Sequence, residues 1–437
     1  MSVEIVSIVV LAVIFLIATV RPVNLGALAI VAAFVLGVTA LPGADPDERT
    51  DAVLDGFPGE LFVILVGVTY LFAIATANGT VDWLVQAAIR AVRGRVGLIP
   101  WIMFLVTAAL TAMGAVVPAS VAIIAPIGMG FAVRYRINPL MMGLLIINGA
   151  SAGGFSPISI FGGITNGVVE KAGLPGDPML LFAASFVVNL AISVVAYFVW
   201  GGRELLGRRD DGAAERTPEE EEGAEPEGTG AEPEEAAGLD RDRILTLVGL
   251  VALAVTALFF DLNVGLVAIT VAVVLTLLAP EAAKGAVGHV AWPTVLLVCG
   301  IVLYVGVMQT LGTIDWLGEE VATVGAPLVA ALVICFIGAS VSAFASTTGI
   351  LGALIPLAVP FLTGTNAVGA VGLITALALS SSIVDSSPFS TSGALTVANT
   401  PEDRREYVYR GLMRWGFGMV VIIPIVTWLI LVVPGRL

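Results

Sequence analysis

The chain has 437 residues, 58% of them hydrophobic and 12% charged, with a mean hydropathy of +1.02. A soluble domain carries about 25% charged residues, so an ordinary water-soluble enzyme is excluded and recurrent bilayer-length apolar runs predict an all-α polytopic membrane protein. The net charge of −14 leaves no basic footprint for nucleic acid.

Taken in chain order, the first half predicts spans over 3–20, 23–40 and 59–77, with an acidic loop from Asp45 to Asp55. The first run begins with acidic Glu4 and lacks a basic leader, so it reads as a mature span rather than a signal peptide. An amphipathic stretch follows over 80–95. Two apolar legs, 98–115 and 118–134, meet at Val116-Val117-Pro118. A span over 138–172 is broken between Gly153 and Gly163, and a last span covers 178–200.

Residues 203–243 hold 15 acids and 6 arginines, including Glu219-Glu220-Glu221-Glu222 among Gly, Pro and Ala. Such a composition cannot bury enough apolar surface to fold, and it predicts a disordered linker. The second half then repeats the order of the first. Spans are expected over 244–260, 262–279 and 293–311, an amphipathic stretch over 312–324, legs over 326–344 and 348–362, a broken span over 368–399, and a span over 415–433.

Collinear landmarks support an internal repeat. Asn24-Leu25-Gly26 matches Asn263-Val264-Gly265, Gly79 to Leu84 matches Gly312 to Leu317, and Pro126 matches Pro356. The strongest match is Ser-Pro-x-Ser-x-x-Gly-x-x-Thr. It runs from Ser156 to Thr165 (Ser156, Pro157, Ser159, Gly162, Gly163) and recurs from Ser387 to Thr396 (Ser387, Pro388, Ser390, Thr391, Ser392, Gly393) at an offset of 231. Three units result: a first repeat 1–202, the linker 203–243 and a second repeat 244–437.

If each pair of legs dips in and returns to the same side, each half has five crossings and the halves are inverted. One face then carries 17 of the 20 basic residues, leaving Arg49, Lys171 and Arg436 opposite. The positive-inside rule makes the basic face cytoplasmic, with the linker, and puts both termini outside. The low lysine content, 2 against 18 arginines, fits a GC-rich or salt-adapted prokaryote, and the expected location is a prokaryotic cell membrane.

Helix-breaking polar residues at membrane depth are costly unless they line a cavity or are buried in protein. Interruptions at corresponding places in two halves are a pointer to a transporter binding site. Half-helix N-termini favour anions, and hydroxyls and carbonyls suit a small hard cation. The substrate-binding candidates are Ser156, Pro157, Ser159, Gly162, Gly163, Thr348, Pro388, Ser390, Thr391 and Ser392. The cation-binding candidates are Ser346, Thr347, Thr348, Asp385 and Ser387. Thr348 is placed to cap its leg. Asp385, the one acid beside a break, reads as a cation ligand, a proton carrier or a structural group held by neighbouring hydroxyls. On this reading Thr348→Ala and Ser390→Ala each weaken transport without lowering expression.

Asp82 and Asp315 read as interfacial residues beside tryptophan. Cys299 and Cys335 read as buried hydrophobes, and His289 is the one histidine. With no His-Glu-x-x-His, Cys-x-x-Cys or Gly-rich phosphate loop, neither metal hydrolysis nor nucleotide chemistry has its parts, and an enzyme is not expected. No cofactor is expected beyond a coupling ion, sodium or proton.

The paired breaks and hairpin tips resemble the divalent anion:sodium symporters of the ion transporter superfamily. Asn148 to Gly163 is similar to the malonate/dicarboxylate carrier (MatC-like) branch. The resemblance implies a homodimer of elevator type, with a small carboxylate and sodium held between hairpin tips and broken helices. It aligns the family's Ser-Asn-Thr tip signature with Ser346-Thr347-Thr348, where Thr347 replaces Asn, and with Val116-Val117-Pro118, which departs from it outright. The expected function is import of a small di- or tricarboxylate (malonate- or succinate-like) coupled to sodium or protons. The alternative is a cation/proton antiporter or oxyanion efflux permease on the same scaffold.

Overall fold

The computed structural model describes residues 2–21, 23–41, 45–91, 95–208, 240–260, 262–281, 283–314, 316, 327–343, 347–359, 362 and 368–435. Most of the linker, most of the second amphipathic stretch, Asp315 and Ser346 lie outside the described residues.

Among the described residues the fold is helical, without a strand. The first half contributes α1 (Val3–Val20), α2 (Leu25–Ala40), α3 (Pro46–Asp55), α4 (Gly59–Ala77), α5 (Thr80–Ala91), α6 (Ile99–Ala112), α7 (Val117–Arg134), α8 (Pro139–Gly153), α9 (Ile160–Lys171), α10 (Pro178–Val199) and the one-turn α11 (Gly202–Leu205). The second contributes α12 (Arg241–Phe259), α13 (Val264–Leu278), α14 (Trp292–Thr310), α15 (Pro327–Ser342), α16 (Thr347–Ala358), α17 (Ala370–Ile383), α18 (Thr391–Ala398) and α19 (Glu402–Thr427). Among the described residues, six helical segments are long and apolar enough to cross a membrane, and seven shorter apolar helices accompany them. The hairpin legs α6, α15 and α16 have 14, 16 and 12 residues. At 1.5 Å per residue they reach about 18–24 Å, short of a hydrocarbon core of about 30 Å, whereas the fourth leg, α7, has 18 residues and is among the helices long enough to cross.

Two elements differ from the sequence reading. The acidic loop is a helix, α3: Asp45 accepts the Asp47 N–H at 3.3 Å and Pro46 occupies the first turn, where its missing N–H costs nothing. The last helix begins at Glu402, well before the apolar span expected from 415. Charge marks where a helix leaves the membrane, not where it ends. Glu402 and Asp403 favour the positive end of the helix dipole, and Arg410 pairs with Glu406 one turn away at 2.5 Å.

The halves interlock reciprocally. Helix α13 packs on α4 and α14 on α2, while α16 lies against α9 and α18 against α7. The repeated Asn-x-Gly motif builds the first exchange. Asn24 caps α2 by accepting from the Gly26 and Ala27 N–H groups, and its amide donates to the Pro293 carbonyl at 3.0 Å. Asn263 caps α13 and donates to Glu60 at 2.5 Å. The glycine two residues on removes the side chain at the crossing. A Cβ at Gly26 would stand 1.9 Å from the Leu296 carbonyl oxygen, and one at Gly265 2.5 Å from the Ile64 nitrogen.

Each hairpin packs on the first segment of its own broken helix: α6 and α7 on α8, α15 and α16 on α17. The last helix of each half braces that segment with buried polar contacts. Asn148 Nδ2 donates to Ser193 Oγ (3.2 Å) and Ser185 Oγ to the Ser151 carbonyl (3.1 Å), while Ser380 and Thr427 share a hydrogen bond of 3.1 Å.

Candidate functional site

The two breaks have the same local construction. In the first, the Ser159 hydroxyl lies between the carbonyls of Gly154 and Ser156 (2.7 Å to the latter) and accepts the Gly162 N–H at 3.3 Å. In the second, the Ser390 hydroxyl lies between the carbonyls of Asp385 and Ser387 (2.7 Å to the latter) and accepts the Gly393 N–H at 3.1 Å. Each serine thus caps the second segment of its broken helix while satisfying carbonyls released at the end of the first. The glycines are needed because the chain doubles back on itself. A Cβ at Gly162 would stand 2.0 Å from the Ser156 carbonyl oxygen, and one at Gly393 1.9 Å from that of Ser387. Pro157 and Pro388 stand in the connecting turns rather than inside a helix, so they mark the break without kinking a continuous helix.

The hydroxyls that make the sequence pattern conspicuous are therefore largely committed to the breaks themselves. Ser156 Oγ donates to the Ala112 carbonyl at 3.0 Å, tying the first break to the first hairpin tip. Ser387 Oγ accepts the Phe389 N–H at 3.3 Å. Gly163 faces Ile64 of α4. Thr347 Oγ1 shares a hydrogen bond of 2.8 Å with Ser342 Oγ and donates to the Ser381 carbonyl at 3.4 Å, so it ties the second tip to α17. Because α16 already begins at Thr347, Thr348 lies within the first turn and is not its cap, contrary to the sequence expectation.

Asp385 occupies the place that Gly154 holds in the first half, at the same offset of 231. Its carboxylate is buried and accepts the Ser392 hydroxyl at 3.1 Å; no ion pair reaches it among the described residues. The halves share one backbone device, and the second adds a carboxylate to it.

Two of the candidates, Thr348 and Thr391, come together in a cavity of about 540 Å³. Its wall combines the first hairpin tip (Val116, Pro118, Ala119), Thr348 of the second tip and Thr391 of the second break with Asn24, Leu25, Pro293 and Thr294. Each group lies at the start of a helix, so the N-terminal ends of α2, α7, α14, α16 and α18 converge on one space. No side chain caps α7 at Val116 or α14 at Ala291. Among the described residues, no Lys or Arg lines the cavity. Asn24 caps α2, Ser390 caps α18, and the Trp292 and Thr294 N–H groups donate to the Val290 and Ala291 carbonyls, so such a place attracts an anion chiefly through helix dipoles, with hydroxyls for orientation. The remaining described candidates (Ser156, Pro157, Ser159, Gly162, Gly163, Thr347, Asp385, Ser387, Pro388, Ser390 and Ser392) are not among its lining residues. Asn24 and Thr294 were not singled out by sequence as site residues. Asn24 belongs to a repeated motif, which was the available signal.

His289 is exposed and its Nδ1 lies 3.1 Å from the Gly285 carbonyl oxygen. Cys299 and Cys335 are buried free thiols. No group of His, Cys, Asp and Glu suited to a metal ion occurs among the described residues.

Residues 1–154 match the family described as the dicarboxylate carrier protein MatC N-terminus. The fold is similar to that of the Alcanivorax borkumensis YdaH transporter, with a TM-score of 0.57 and 12% identity, over 92% of this chain and 96% of that one. No curated protein matches the chain by sequence.

Proposed function

We propose that this chain, MatC-like through residues 1–154 and transporter-like in fold, is a secondary active carrier that imports a small dicarboxylate, coupled to sodium or protons. The observation that carries this reading is the cavity on which five helix N-termini converge, with Thr348 and Thr391 in its wall. A substrate carboxylate there meets the positive ends of helix dipoles and hydroxyls instead of a buried arginine. The one- or two-carbon spacer of malonate or succinate leaves a second carboxylate for another helix start in the same wall.

The cavity joins the two layers. Asn24, Pro293 and Thr294 belong to the helix pair α2–α14, and Thr348, Thr391 and the first tip belong to the hairpins and breaks. In the inverted-repeat reading, the hairpins and broken helices move against that pair and expose the cavity to each side in turn, in a homodimer. Ser387, Thr347 and Asp385 are the second half's groups for the coupling ion. Asp385, a buried carboxylate met by serine hydroxyls and by no cation among the described residues, favours a proton as that ion.

The test is binding of labelled malonate and succinate to the purified protein, with and without sodium. The reading predicts saturable binding that Thr391→Val and Thr348→Val weaken. Binding that both variants retain in full would contradict this placement.

A further inference from the structure

We propose that the cleft between the C-terminal ends of α7 and α10 and the first turns of α19 holds the headgroup of an anionic phospholipid. The cleft is a cavity of about 830 Å³ with Arg136, Arg208 and Arg404 in its wall. Trp200 and Tyr407 are shared with an adjoining cavity of about 600 Å³, which adds Arg410, Arg414 and Trp415. Neither touches the cavity between the hairpin tips.

The electrostatic balance favours a phosphate. Among the described residues, five arginines face three carboxylates, Glu204, Asp403 and Glu406. Two arginines are paired, Arg404 with Asp403 at 3.4 Å and Arg410 with Glu406 at 2.5 Å. Arg208 places one nitrogen 2.9 Å from the Tyr135 carbonyl oxygen and keeps its remaining N–H groups. Arg136 and Arg414 have no ion pair among the described residues. Trp415 supplies a further donor: its Nε1 is buried without a hydrogen-bond partner, and the ring stacks edge-on against Trp200 at 5.1 Å.

Arg136 carries an independent mark. It is the one non-glycine residue with positive φ among the described residues, at 51°. It ends α7 in the position where glycine is usual: its N–H donates to the Val133 carbonyl at 3.2 Å and the Ile137 N–H to that of Ala132 at 2.8 Å. A left-handed conformation costs an L-residue roughly 1 kcal/mol that glycine avoids. An arginine held there against that cost, at the mouth of a basic cleft, points to a ligand for its guanidinium.

The lipid, rather than a soluble anion, follows from the rest of the wall. Val133 and Val199 line the cleft and are 61% and 63% exposed, so the basic space opens onto an apolar outer surface fit for acyl chains. Tryptophans at this level match the aromatic belt of a membrane interface, and basic pockets between helices on the arginine-rich side suit anionic headgroups.

The test uses the full-length protein in detergent, titrated with phosphatidylglycerol, with phosphatidylcholine of the same acyl chains, and with glycerol 3-phosphate. Bound lipid is read by native mass spectrometry and stability by thermal unfolding. Phosphatidylglycerol is expected to remain bound and raise the melting temperature, and the other two to do neither. Arg136→Gly relieves the backbone strain, so it should unfold no earlier than the parent and yet bind phosphatidylglycerol about fivefold more weakly; adding Arg414→Gln should bring the loss beyond tenfold. Equal retention of phosphatidylcholine, or undiminished phosphatidylglycerol binding in the double variant, would overturn the proposal. Glycerol 3-phosphate binding as tightly as the lipid would make this a soluble-anion site and also overturn it.

Discussion

Gly26 and Gly300 cross backbone against backbone: a Cβ on Gly300 would stand 2.1 Å from the Gly26 carbonyl oxygen. Gly67 meets Gly265 in the same way, at 2.5 Å from that carbonyl oxygen, where the roles of the two halves are exchanged. The halves are thus joined twice by one device, at the level where Asn24 and Asn263 cap their helices. Gly300→Ala and Gly67→Ala each force a shift of packed backbone. Overpacking of this kind costs about 1–3 kcal/mol. Thermal unfolding in detergent should show both variants melting earlier; an unchanged melting temperature in either would contradict the close crossing.

Ser390 and Ser159 are predicted to matter first for stability. Replacing either with alanine leaves a buried N–H and buried carbonyls short of a partner, at a cost of about 1–3 kcal/mol. Ser390→Ala should therefore melt earlier and express less well, which revises the sequence expectation of normal expression. Ser159→Ala should do the same although it lies in the other half. If both variants melt with the parent, the shared break construction is wrong.

Thr348 and Thr391 should behave differently, because their side chains face the cavity and hold no break together. Thr348→Val and Thr391→Val keep volume and remove a donor. A hydrogen bond to a charged group contributes about 1.5–3 kcal/mol, so each should raise the KM for uptake by tenfold or more with the melting temperature near that of the parent. Parental uptake kinetics in both would remove these residues from the site.

Asp385→Asn preserves shape and the contact with Ser392 while removing the charge. We expect it to retain substrate exchange between loaded vesicles and to lose accumulation driven by the coupling gradient. Undiminished accumulation in this variant would exclude Asp385 from coupling and leave it as a strut for Ser392.

The helices were legible where apolar runs end at capping or breaking residues. Asn24, Asn138 and Asp177 cap α2, α8 and α10 close to the expected starts. Both breaks were legible because the same Ser, Pro and Gly recur at one offset. Where hydrophobicity and helicity part company, the reading failed: α3 is polar and helical, and α19 starts a dozen residues before its apolar run. At the site, the pattern marked the hydroxyls conspicuous in sequence, yet those of Ser159 and Ser390 complete the local turn. The hydroxyls that reach the cavity were inseparable from them in one dimension. Asn24 and Thr294 joined the site through the crossing of α2 and α14, a pairing between residues more than 250 positions apart that no local spacing reveals.

Gradient-driven dicarboxylate import is measured by uptake of labelled malonate and succinate into proteoliposomes under an imposed sodium gradient, then a proton gradient, then none. The account predicts accumulation above equilibrium under one of the two gradients and only equilibration without them. Absence of uptake under every gradient would contradict dicarboxylate import, and gradient-driven expulsion of a cation or oxyanion in the same vesicles would replace it with antiport or efflux.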